Sequence, residues 1–156
     1  MKKRECGSCI ACCVYPRIKS PILNKEPMSH CVNLTLPGDP AKDTVFYTGA
    51  SNCGNCKIYP KDGEIDKRPK CCDEYRCLWV DGHGAEEDRP DRSLMLFDRS
   101  RGVENAIEAK PLIGNREKTE DGKATIKRMA ISTKKTVLVF NFYENHIVRV
   151  EGKPAK

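Results

Sequence analysis

The stretch CGSCIACC places Cys6, Cys9, Cys12 and Cys13 within eight residues. Thiols this close together can bind a metal, form disulfides, act as a redox pair or fill a small apolar core. Cys6, Cys9 and Cys12 follow the spacing C-x-x-C-x-x-C. Each two-residue spacer turns the backbone about a common point, so three thiolates can reach one inorganic centre while a fourth comes from elsewhere in the chain. The full run has the spacing of ligands to a 4Fe-4S cluster, and each C-x-x-C half has that of a tetrahedral zinc knuckle. Gly7 lets backbone N–H groups approach the sulfurs. Cys13 directly follows Cys12, and neighbouring side chains on an extended backbone point to opposite sides, so the doublet is expected to serve two different centres.

A second doublet, Cys71 and Cys72, repeats the arrangement, and Cys31, the pair Cys53 and Cys56, and Cys77 bring the total to ten. That is more than one mononuclear site can use. Buried thiols behave as small apolar residues, but four of them interleaved with Gly and Ser make a poor apolar segment. Disulfides belong to oxidising compartments. No apolar run of the length of a secretory signal follows MKKR before Arg17, so the chain reads as soluble and cytoplasmic, where clustered cysteines more often hold metal.

The strings CGSCIACC, HCVNL, CKIY and RPKCCDEYRCLW together resemble the YkgJ-type cysteine-cluster proteins, a zinc- or iron-chelating family marked by a C-x-x-C-x-x-C-C opening. The opening falls on Cys6, Cys9, Cys12 and Cys13. A C-x-x-L element falls on Cys31 with Leu34, and a C-x-I-Y element on Cys56 with Ile58 and Tyr59. The last element, R-P-x-x-C-x-x-x-x-C, falls on Arg68, Pro69, Cys72 and Cys77. The resemblance covers residues 6–79 and implies eight metal ligands: Cys6, Cys9, Cys12, Cys13, Cys31, Cys56, Cys72 and Cys77. Divided into two sets of four, they favour two centres. Cys53 and Cys71 depart from the pattern, and either is a candidate substitute ligand, which leaves the partition of ligands between centres open.

Among the remaining candidates, His30 adjoins Cys31, while His83 and His146 have no partner at ligand spacing. Arg68 reads either as an N–H donor to a cluster sulfur or an anion, or as a packing residue before a turn proline. Trp79, Tyr59 and Tyr75 read as core aromatics. No nucleophile with a base, glycine-rich phosphate loop or paired carboxylates stands out, so no catalytic residue is assigned.

The elements that must position these thiols divide at a change in composition, since all ten cysteines lie at or before Cys77. Pro16, Pro21, Pro27, Pro37 and Pro40 leave the front half with no sustained period, which predicts a loop-rich lobe over residues 1–80. Past Trp79, DGHGAEEDRPD reads as a polar connector. SLMLFD then reads as a strand with Leu94 and Leu96 on one face and Met95 and Phe97 on the other, and VENAIEA as its partner. Residues 119–131 predict a helix, with Glu120 and Asp121 at its positive end and Ile126, Met129 and Ala130 on one face; Gly122 weakens it. TVLVFNFY and HIVRV, joined through Glu144 and Asn145, predict a β-hairpin. The expected fold is α+β: one domain of 156 residues, with a cysteine and metal lobe packed on a small antiparallel sheet and one helix.

Only 38% of the residues are hydrophobic and 32% are charged, so the core is small and metal ligation is expected to order the front half. The formal net charge of +6 is spread evenly: residues 1–80 carry 13 basic and 9 acidic side chains, and residues 81–156 carry 15 and 13. A strong nucleic-acid footprint is therefore not expected, and the longest apolar run, VLVF, is too short to span a bilayer. These features point to a chelating or metal-delivery protein holding Zn2+ or a 4Fe-4S cluster. An iron-sulfur electron-transfer module and a zinc-stabilised module for nucleic acid or protein are the alternatives.

Overall fold

The computed structural model describes residues 4–5, 9–27, 29, 31–35, 55–58, 65, 67–141 and 146–150. They belong to two compact units, one of residues 6–76 and the other of residues 1–5 with 77–156.

In the second unit, a four-stranded sheet runs in the order β5 (Met95–Arg99), β6 (Ala106–Pro111), β7 (Thr136–Asn141), β8 (His146–Val150). β5 pairs antiparallel with β6, and β7 with β8, but β6 and β7 are parallel. An all-antiparallel sheet was the expectation, and the helix explains the difference. α4 (Glu120–Thr133) lies between β6 and β7 in sequence, and a helical crossover returns the chain beside its starting strand in the same direction. Met95, Phe97, Ile107, Ala109, Val137 and Val139 form one core cluster with Ile126, Met129 and Ala130 of α4, as the helical periodicity predicts. Leu96 on the opposite face is fully buried as well, so β5 is covered on both sides.

The helix begins one residue later than the pattern suggests because Thr119 is its N-cap, its hydroxyl accepting from Gly122 N at 3.1 Å. Gly122 is required rather than merely tolerated: a Cβ there would run into the Arg116 carbonyl oxygen. The hairpin pairing is present in β7 and β8, while its connection at Glu144 and Asn145 lies outside the described residues.

Two segments differ from the sequence reading. The connector before β5 contains a 3-10 turn (Glu86–Asp88) and a short helix, α3 (Pro90–Ser93). Pro90 suits a first helical position, and the buried Asp88 carboxylate accepts from Ala85 N at 2.8 Å and from Arg128 at 2.6 and 2.9 Å. Leu94 closes α3 with φ of 57°, so the strand starts at Met95 and Leu94 does not share a face with Leu96. Val103 stays in the turn before β6, its N–H held by Ser100 Oγ at 3.2 Å. Trp79 is buried, donates from Nε1 to Ala85 O at 2.9 Å and lies under the Arg4 guanidinium, 4.9 Å from the ring centre.

The unit of residues 6–76 is built of short elements. They are α1 (Ala11–Val14), the ribbon of β1 (Ile18–Lys19) with β2 (Asn24–Lys25), the ribbon of β3 (Leu34–Thr35) with β4 (Asn55–Cys56), and α2 (Lys70–Asp73). This is the loop-rich texture that the prolines predict. No helix among the described residues is long and apolar enough to cross a membrane.

Candidate metal centre

Both cysteine doublets sit on single helical turns: Cys12 and Cys13 in α1, Cys71 and Cys72 in α2. The backbone there is not extended, so adjacent side chains diverge by about 100° rather than 180°. The opposed directions of an extended backbone are therefore not present at either doublet.

The front-half cysteines are drawn together by backbone bonding. Cys31 N donates to Cys13 O at 3.0 Å, so the turn carrying Cys31 is tied to the end of α1. The Cys31 side chain is buried, and its sulfur accepts from Asn33 N at 3.5 Å. Leu34 N donates to Cys31 O at 2.9 Å and Leu34 pairs with Cys56 across β3 and β4, which brings the Cys56 turn into register with the Cys31 turn. Cys71 donates from its thiol to Ser20 Oγ at 3.5 Å.

The electrostatics record the same gathering. Burial pushes the Cys72 thiol up to about 12, and Cys71 adds to this both by its charge and by a hydrogen bond, as do the charges of Cys31 and Cys13. Cysteines from three separate stretches of chain thus act on the Cys72 thiol, and several thiolates in one low-dielectric place are costly unless a cation offsets them. Among the described residues, no group of three or more His, Cys, Asp or Glu side chains stands close enough to hold a metal ion. The donor chemistry, sulfur throughout, fits a thiophilic cation.

The remaining predicted residues are placed as follows. Cys9 is half-buried just ahead of α1, and Cys56 is half-buried on β4. Cys77 is buried in the other unit, where its carbonyl accepts from Asp81 N at 3.1 Å. Cys6, Cys53, His30 and Tyr59 lie outside the described residues. His83 has a buried Nδ1 with no hydrogen-bond partner among the described residues, and His146 opens β8. None of the eight described cysteines is in a disulfide.

Cys71, a departure from the motif and a candidate substitute ligand in the sequence, sits against Cys72. One residue escaped the sequence reading: Lys25 is buried, the charges of Cys31, Cys13 and Cys12 act on it, and no motif marks it. Comparison with protein-family models, with curated proteins and with solved structures finds no match to this chain.

Proposed function

We propose that this chain is a metal-binding cysteine-cluster protein whose residues 6–76 hold thiolate-coordinated zinc or an iron-sulfur cluster, in chelation or delivery of the metal. The observation that carries the reading is the convergence of Cys13, Cys31, Cys71 and Cys72 from three stretches of sequence. The spacing that resembles the YkgJ-type proteins points the same way, and the N–H bond from Asn33 to the Cys31 sulfur is the kind of support that metal-bound thiolates receive.

Backbone bonds tie the Cys13, Cys31 and Cys56 stretches to one another, and side-chain torsions have staggered alternatives through which sulfurs can turn toward an ion. Zinc in such a shell is structural, whereas an iron-sulfur cluster carries electrons. The protein's own contribution is the donor set, the shielding of Cys31 from water and the N–H donor at its sulfur. The reading places the chain in the cytoplasm, where thiols stay reduced, with metal ions rather than nucleic acid as its first partners.

Metal analysis with an optical spectrum on protein purified without oxygen tests this. Bound zinc with no visible absorption is one expected result, and iron with sulfide and a brown colour is the other. A chain that is metal-free as purified, and that takes up neither Zn2+ nor iron with sulfide on anaerobic reconstitution, would falsify the proposal. Cys31→Ser and Cys72→Ser are each expected to lower the metal content.

A further inference from the structure

Lys25 is 4% exposed, a rare position for an ammonium group. Its Nζ donates three hydrogen bonds, to Val14 O at 2.6 Å, Glu26 O at 3.0 Å and Ser29 O at 2.9 Å. An ammonium has three N–H groups, so its whole donor capacity goes to backbone carbonyls. Two of those carbonyls belong to the stretches that present cysteines. Val14 follows Cys13, and Ser29 stands two residues before Cys31. Because Cys31 N also donates to Cys13 O at 3.0 Å, Lys25 and the two cysteine-bearing stretches close a single hydrogen-bonded ring.

Carbonyl partners leave the charge of the ammonium uncancelled. Glu26, its neighbour in sequence, gives its carboxylate to Arg17 at 2.9 Å. Burial lowers the pKa of Lys25, and the charges that oppose this most strongly are those of Cys31, Cys13 and Cys12. A divalent ion held by a full set of thiolates keeps net negative charge, and so does an iron-sulfur cluster with thiolate ligands. A fixed cation bonded to the Cys13 and Cys31 stretches offsets it.

We propose that Lys25 is the positioning residue and built-in counter-charge of the cysteine centre, its three carbonyl bonds presetting the Cys13 and Cys31 stretches and its ammonium favouring an all-thiolate, anionic metal centre. This rests on the metal-centre reading above. It also makes the site selective by charge: a centre with a full complement of thiolates gains from Lys25, and one in which neutral donors replace them does not.

The test uses the 156-residue chain as wild type, Lys25→Met and Lys25→Arg. In Zn2+ competition against a chromophoric chelator, Lys25→Met is expected to bind about 10–100-fold more weakly, and Lys25→Arg, which keeps the charge, to lose less. The second readout is the ratio of alkylation rates by anionic iodoacetate and neutral iodoacetamide on metal-stripped protein, mapped at Cys13 and Cys31. Both reagents meet the same exposure, so the ratio reports local charge and is insensitive to packing. It is expected to fall about threefold or more in Lys25→Met. Undiminished zinc affinity in Lys25→Met, or an unchanged ratio, overturns the proposal. If wild type takes up neither Zn2+ nor iron with sulfide on anaerobic reconstitution, the metal reading fails by itself, and the alkylation ratio still decides the electrostatic role. Should Lys25→Met not fold, Lys25→Gln, which keeps amide donors for the carbonyls, carries both measurements.

Discussion

The two units of this chain solve the problem of staying folded with different materials. In residues 77–141 a ten-residue apolar cluster joins one sheet face to α4, and Met95, Ile107, Ala109, Met129 and Val137 have no measurable exposure. In residues 9–35 and 67–76 the longest elements are four-residue helical turns and two-residue strands. Their buried residues include Cys31 and Lys25 beside Ile10, Val14, Tyr15 and Leu23. Apolar burial is non-directional and scales with area, about 25 cal/mol per Å². Bonds to sulfur and to an ammonium are directional and few. A unit held by the second kind can present reactive groups at fixed places with little core, and its stability then depends on what those groups bind.

The largest expected effect follows directly. Ligation in small zinc-binding domains is worth on the order of 10 kcal/mol, so on the metal-centre proposal, stripping with a strong chelator is expected to abolish amide-exchange protection across residues 9–35 and 70–76. Protection across β5 to β7 and α4 is expected to survive. Exchange measured by mass spectrometry before and after chelation checks this, and equal loss in both units would erase the contrast between them.

What the sequence conveys follows the same division. Periodicity locates α4 and the β7–β8 pair because long-range burial leaves a repeating apolar mark, with Ile126, Met129 and Ala130 recurring on one face. Cysteine spacing likewise marks the stretches that converge, as ligation of a shared ion would require. The parallel pairing of β6 with β7 leaves no such mark: a strand buried on both faces looks alike in either direction, and only its connection decides. The helical turns at the doublets are too short to show a period. Lys25 is illegible for another reason. Its role comes from carbonyls at Val14, Glu26 and Ser29, and any residue type supplies a carbonyl.

Next in size, Met129→Ala probes the apolar unit alone. Met129 is fully buried in the cluster, and truncating such a side chain costs about 2–5 kcal/mol through lost transfer energy and the cavity left behind. Trp79, the chain's single tryptophan, is buried in the same unit and gives a fluorescence signal for its urea unfolding. The midpoint is expected to drop markedly while bound metal per chain stays at the wild-type value. A matching loss of metal would mean that the thiol unit depends on the apolar core.

The smallest effect concerns one hydroxyl. Thr119 Oγ1 accepts from Gly122 N at 3.1 Å and donates to Arg116 O at 2.7 Å, so one atom satisfies a helix N–H and ties the preceding 3-10 turn (Arg116–Lys118) to the helix. Thr119→Ala removes both bonds and is expected to cost about 1 kcal/mol. Which substitution restores the loss separates the two roles. Ser keeps the donor and the acceptor and should return the Trp79-monitored midpoint to near wild type. Asp is as good a cap in general, but here it accepts only and turns a carboxylate toward the Arg116 carbonyl, so its rescue should be incomplete. Full rescue by Asp would show that the N-cap bond alone matters and that the bond to Arg116 contributes nothing to holding α4 at its place in the sheet crossover.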